Sequence, residues 1–236
     1  AAGVALAINL THPFLQTPHL ELLKLHAHAG IAGWFIQLII GVSSRLLPMF
    51  MVAYNLNTRK LKFAYYLINA GLIAGIVSLY IQWQPGVITS VCIVVIGIAF
   101  FLSFIFEAYK KRINKRLDIG MKQTVLSFII LMIPLFLILI FVFVPGLFKE
   151  FTLPMVIIYG STLLLGFITS LIMGQTIKTL PFIIWLKVYR NLVGKGKIPL
   201  PKDLYSEKVA HVQLWFFSAG FAMLLAGVFT VNSNLI

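Results

Sequence analysis

Four of the chain's five histidines fall between residues 12 and 28: His12, His19, His26 and His28. Neutral imidazole is the commonest metal ligand of proteins, and several together suit copper or zinc. His26 and His28 open the run KLHAHAGIAGWFIQLIIGVSSRLLPMFMVAY, residues 24–54. On a regular helix, positions two apart point about 200° away from each other, so these two cannot share one centre. At about 100° per residue, His26, Gly30, Gly33, Trp34, Gln37, Gly41, Ser44, Arg45 and Pro48 fall within a sector of about 120°. His28 lies on the other side. A histidine at one end of such a stripe could ligate iron, and an arginine toward the other could pair with an anion. Glycines between them let another helix, or a flat macrocycle, come close to the backbone. Three readings stay open. The stripe is helix packing with His26 and Gln37 bonded across the interface, in a cofactor-free scaffold subunit or small transporter, or it faces a haem, or the four histidines form a copper site. His211 stands at the opposite end of the membrane and is a poor partner for them.

The elements that must carry these residues are apolar helices. The chain has 236 residues, 60% hydrophobic and 11% charged, with mean hydropathy +0.99. A soluble domain has roughly 25% charged residues. The composition therefore predicts an all-α, polytopic transmembrane helix bundle. It has room for about seven spans, the first truncated or short, in a single domain over residues 1–236. The hydropathy breaks place the spans at 1–10, 24–54, 62–82, 86–109, 122–145, 152–177 and 208–231, with a loop at 11–23. Residues 152–190 in one helix would run on the order of 57 Å, too long for a ~30 Å hydrocarbon core, and Pro181 is the expected break. Pro48 is expected to kink the second span. No internal repeat, heptad pattern or low-complexity tract stands out.

Charge sets the expected orientation. Fifteen of the nineteen Lys and Arg residues fall in the loops around 59–62, 110–122 and 187–208. Basic loops stay in the cytoplasm, which predicts an integral protein of a bacterial inner membrane. The lipid bilayer is then the partner that the net charge of +13 serves, not nucleic acid. A redox partner or a membrane complex is the further partner expected. Lys178, beside Gln175, Thr176 and Thr179, is expected to snorkel. Glu107 is expected to pair with Lys110 or Lys111, and Ser206 to cap the last helix. Met49 and Met51 are expected to pack. A single cysteine, Cys92, excludes an internal disulfide or a cysteine metal motif. The chain has no glycine-rich phosphate loop, HExxH motif, nucleophile elbow or carboxylate pair.

The run LHAHAGIAGWFIQLIIGVSSRLLPMF resembles the haem-ligand helix of the haem–copper oxidase superfamily. The stretch IKTLPFIIWLKVYRNLVGKGKIPLPKDLYSEKVAHVQLW resembles the tail of small, stand-alone relatives. The nearest likeness is to small proteins similar to oxidase subunit I and to NnrS-type membrane haem proteins linked to nitric oxide stress. The resemblance covers about a quarter of the chain. It implies that His26 or His28 is a ligand of a b-type haem. It implies that Arg45 is a propionate or structural partner, and that Gly30, Gly33, Gln37 and Gly41 line the cofactor face. An oxygen-reducing subunit has further histidines for a second haem and copper. This chain has none in spans three to six, so the resemblance implies a redox- or nitric-oxide-linked protein that is not a complete oxidase.

Overall fold

In a computed structural model, the protein is all-helical among the described residues, which are 2–12, 14, 19–113, 115–144, 146–147, 152–194 and 196–233. Seven helices follow in order. α1 is Ala2–Thr11. α2 runs from His19–Gly30 through a π-helical segment, Ile31–Ile36, into Gln37–Met51. α3 is Arg59–Tyr80, α4 is Gln84–Lys111 and α5 is Ile119–Phe143. α6 runs from Thr152–Ser161 through a second π segment, Thr162–Thr169, into Ser170–Val188. α7 is Glu207–Ser233. Six of the seven, all but α1, are long and apolar enough to cross a membrane. The chain is an integral membrane protein by that measure. Its helices group into two compact units, residues 1–114 and 115–236.

The break expected at Pro181 is not seen. Pro181 lies inside α6, which continues to Val188 as one helix. Pro48 lies inside α2, which ends three residues later. Each of the two long helices instead contains a π segment, a turn that holds an extra residue. The predicted loop at 11–23 is shorter than expected, because α2 already begins at His19 and takes Glu21 into its first turn. Glu150, Lys149 and Lys195 lie outside the described residues.

In the first unit, α3 and α4 form a close antiparallel hairpin. Glycine makes the approach possible: a Cβ on Gly71 would stand 3.0 Å from the Ser90 carbonyl oxygen, and one on Gly97 would stand 3.2 Å from that of Ala64. Without a hydrophobic drive between helices in lipid, such close backbone packing is what holds them. At the basic end, Glu107 of α4 accepts from Lys60 of α3 at 2.7 Å and from Lys111 at 2.9 Å. The expected partner one turn on is therefore Lys111, with Lys60 added. α2 buries Ile36, Ile40, Ser43, Leu47 and Met51; Met49, on the other side, is exposed.

In the second unit, α5 and α6 cross at Gly120 and Gly174. Phe128 and Phe167 meet further along, their rings tilted with centroids 5.9 Å apart. A Cβ on Gly166 of α6 would lie 2.6 Å from both Ile130 of α5 and Phe221 of α7, so the three helices converge at that level. Asp118 caps α5 by accepting from the Met121 N–H at 3.0 Å. Ser206 receives the Val209 N–H at 3.4 Å at the start of α7, the cap expected there. The Trp185 indole donates to the Pro199 carbonyl at 2.7 Å and ties the connecting loop to α6.

Candidate functional site

α2 carries the first candidate. The π segment lies between His26 and Arg45 and adds one residue, about 100°, to the turn. That brings His26, Gly30, Trp34, Leu38, Gly41 and Arg45 onto one line, and moves Gln37 and Ser44 to its flank. His26, Trp34, Leu38, Gly41 and Arg45 are all exposed. The stripe of the sequence is thus sharper than its own periodicity, and it is an open face. Nothing lies within 4 Å of where a Cβ would stand on Gly30 or Gly41. Gly33 instead packs on Leu72, at 3.2 Å. Gln37 is half-buried, and its side-chain nitrogen has no partner among the described residues.

The histidines separate. His26 faces α1: a Cβ on Gly3 would lie 3.4 Å from its Nε2. His28 lies on the far side, and its Nδ1 donates to the Lys24 carbonyl at 2.8 Å. That bond keeps the proton on Nδ1 and makes Nε2 the basic nitrogen. His19 opens α2, with a buried Nδ1 that has no partner among the described residues. His12 is exposed just beyond α1, and His211 is exposed in the first turns of α7. Among the described residues, no three His, Cys, Asp or Glu side chains converge to hold a metal ion.

Tested as a haem face, this surface fits one axial ligand and not two. His26 stands beside the open space at Gly30, one turn on, while His28 points away. Arg45 lies about 28 Å from His26 along the helix axis. That is more than one porphyrin spans, so a macrocycle held by His26 does not reach Arg45.

The second candidate is the core of the second unit. Gln123 is fully buried, and neither atom of its amide has a partner among the described residues. Ser170 donates to its backbone carbonyl at 3.4 Å. Two turns from the layer of Ile130, Gly166 and Phe221, seven residues along α5 and α6 and eight along α7, stand Gln123, Met173 and Gln213. Gln213 donates to the Met173 sulfur at 3.7 Å and leaves its own buried Oε1 without a partner among the described residues. On the opposite flank of α6, Gln175 donates to Thr124 at 2.8 Å. Lys178, expected to snorkel, pairs with Asp118 at the N-terminus of α5. This pair is hidden in the sequence, because its members stand 60 residues apart.

Asp118 also acts on Tyr205. Burial pushes this phenol up, and the charges of Asp118 and Glu207 add to the effect. A raised phenol holds its proton in the folded protein while the unfolded chain, near the ordinary value of about 10, releases it. Its contribution to stability is whole below about pH 10 and fades as pH rises through the folded value. Tyr205→Phe is therefore expected to flatten the alkaline loss of stability, as read by denaturant unfolding across that range.

No family model, curated protein or solved structure matches the chain.

Proposed function

We propose that this integral membrane protein binds a b-type haem at the outer part of α2 and serves a redox- or nitric-oxide-linked role without being a complete oxidase. The observation that carries the reading is His26 held beside α1 with open space at Gly30 one turn on. His26 would supply the axial nitrogen, Gly3 lets α1 approach the ring, and Gly30 leaves room for a flat group. A bound haem would supply one-electron or diatomic-gas chemistry. The basic loops at 59–62, 110–122 and 187–208 face the cytoplasm of a bacterial inner membrane in this reading. Protein purified in mild detergent is expected to show a Soret band that His26→Ala removes and His28→Ala leaves. A colourless protein that does not take up added haemin sinks the proposal. Copper bound in its place would favour the histidine-cluster alternative.

A second reading has its own support. The orphan amide of Gln123, in the same helical unit as the unpartnered Oε1 of Gln213, is the kind of polar core that a small solute carrier uses. A cofactor-free transporter would keep that core and lose nothing on His26→Ala.

A further inference from the structure

The two π segments are equivalent. Superposing the residues that end them, Ile36 and Thr169, aligns GWFIQLIIGVSSRLLPMF, residues 33–50, with GFITSLIMGQTIKTLPFI, residues 166–183, at a constant offset of 133. Six of the eighteen positions are identical: Gly33/Gly166, Leu38/Leu171, Ile39/Ile172, Gly41/Gly174, Leu47/Leu180 and Pro48/Pro181. Arg45 meets Lys178 and Trp34 meets Phe167. The chain thus contains a repeat that hydropathy alone does not show.

The copies differ in what covers one face. In α6 the line of Phe167, Leu171, Gly174 and Lys178 lies against α5. Phe167 packs against Phe128, Gly174 meets Gly120, and Lys178 pairs with Asp118. Higher up, Tyr159 meets Phe141 of α5. The pairs run in opposite order along the two helices, so α5 is antiparallel to α6. The matching line in α2 is Trp34, Leu38, Gly41 and Arg45, and it is bare. Trp34 is 68% exposed against 1% for Phe167, and Leu38 is 54% exposed against 6% for Leu171. Only at the top does the likeness hold: His26, which matches Tyr159, is faced by α1.

An arginine in a membrane-spanning helix without an ionic partner is expensive, and Arg45 has no bond to any described residue. We propose that the Trp34–Arg45 face of α2 seats a further membrane-spanning helix, antiparallel to α2, of the same chemistry as α5. It carries an aromatic residue opposite Trp34, a small residue opposite Gly41 and a carboxylate opposite Arg45. This docking surface stands whether or not α2 binds haem.

The test uses a synthetic peptide of residues 115–143 as the probe, since that segment carries Asp118, Gly120 and Phe128. The full chain, with Cys92→Ala and Gly41→Cys, is reconstituted in phosphatidylcholine vesicles with the peptide carrying Gly120→Cys. A disulfide between chain and peptide is expected under mild oxidation. Arg45→Glu is expected to lower its yield about tenfold, and the peptide with Asp118→Lys to restore it. Gly41→Leu is expected to abolish association of the unmodified peptide while keeping the far-ultraviolet helix signal and without lowering the melting of the chain. The proposal is overturned if no disulfide forms, or if its yield ignores Arg45→Glu. It is overturned equally if two copies of the chain join through their introduced thiols into dimers that the peptide cannot displace, which would make the occupant a second copy. Loss of the peptide on adding phosphatidylglycerol would make it an anionic lipid and also overturn the proposal.

Discussion

Gly174→Leu is expected to prevent α5 from packing on α6 and to leave the second unit unfolded in detergent. Gly174→Ala alone is expected to cost about 3 kcal/mol, at the upper end of the range for overpacking. A Cβ on Gly174 would stand 2.8 Å from the Gly120 carbonyl oxygen, 2.9 Å from Thr124 Oγ1 and 3.0 Å from the Thr124 nitrogen. Two of those three atoms are backbone, so no rotamer change relieves the clash and the helices must separate. Separation then reaches every contact along the same line. The Phe128–Phe167 contact opens, Ser170 leaves the Gln123 carbonyl, and Lys178 leaves Asp118. A partly buried charge left without its partner is destabilising in its own right. Gly41→Ala, at the equivalent place in α2, is the control. Nothing lies within 4 Å of its added Cβ, and alanine in place of glycine favours a helix by roughly 0.5–1 kcal/mol. Melting of the two variants should move in opposite directions. Equal destabilisation of both would mean that the two faces are alike, and would remove the basis for calling one of them open.

The spans are legible in the sequence and the register is not. Hydropathy places four of the six crossing helices within a few residues, because water exclusion writes itself into composition over about twenty positions, but it ends α6 at 177 where the helix runs to Val188 and starts α2 at 24 where the helix starts at His19. A π turn leaves no such mark. It inserts one residue and changes no residue type, so Gln37 reads as part of the stripe and His26 reads as about 100° away from Arg45, when the fold puts them in line. The repeat is hidden for a related reason. Its most regular signals are small residues and a proline, Gly33, Gly41 and Pro48, which recur in most apolar helices. Only the matching π segments fix the alignment. Lys178 defeats any weighing of charge along its own helix, because its partner Asp118 caps another. The four histidines stand out at once, yet their spacing cannot say that His26 faces α1 and His28 does not.

Gln123→Met is expected to stabilise the second unit by about 1–3 kcal/mol, the opposite sign from most core substitutions. Gln123 is fully buried and both polar atoms of its amide lack partners among the described residues. Methionine keeps the length and flexibility of the side chain and removes the amide. The neighbouring hydroxyls behave differently. Thr124 donates to the Gly120 carbonyl at 2.9 Å and Ser127 to the Thr124 carbonyl at 2.7 Å, so each is satisfied within its own helix. Ser127→Ala should change stability by less than about 1 kcal/mol, the net worth of one such bond. Unfolding of the purified chain by denaturant in mild detergent separates these outcomes. A destabilised Gln123→Met would mean that the amide is bonded in the membrane, by water or by a bound solute, and that its bonds outweigh the burial. A stabilised variant that still loses its transport activity would point to the carrier reading, because an amide that lowers stability is retained where function needs it. A stabilised variant with an unchanged Soret band would put the working site on α2 and leave Gln123 as a feature of packing alone.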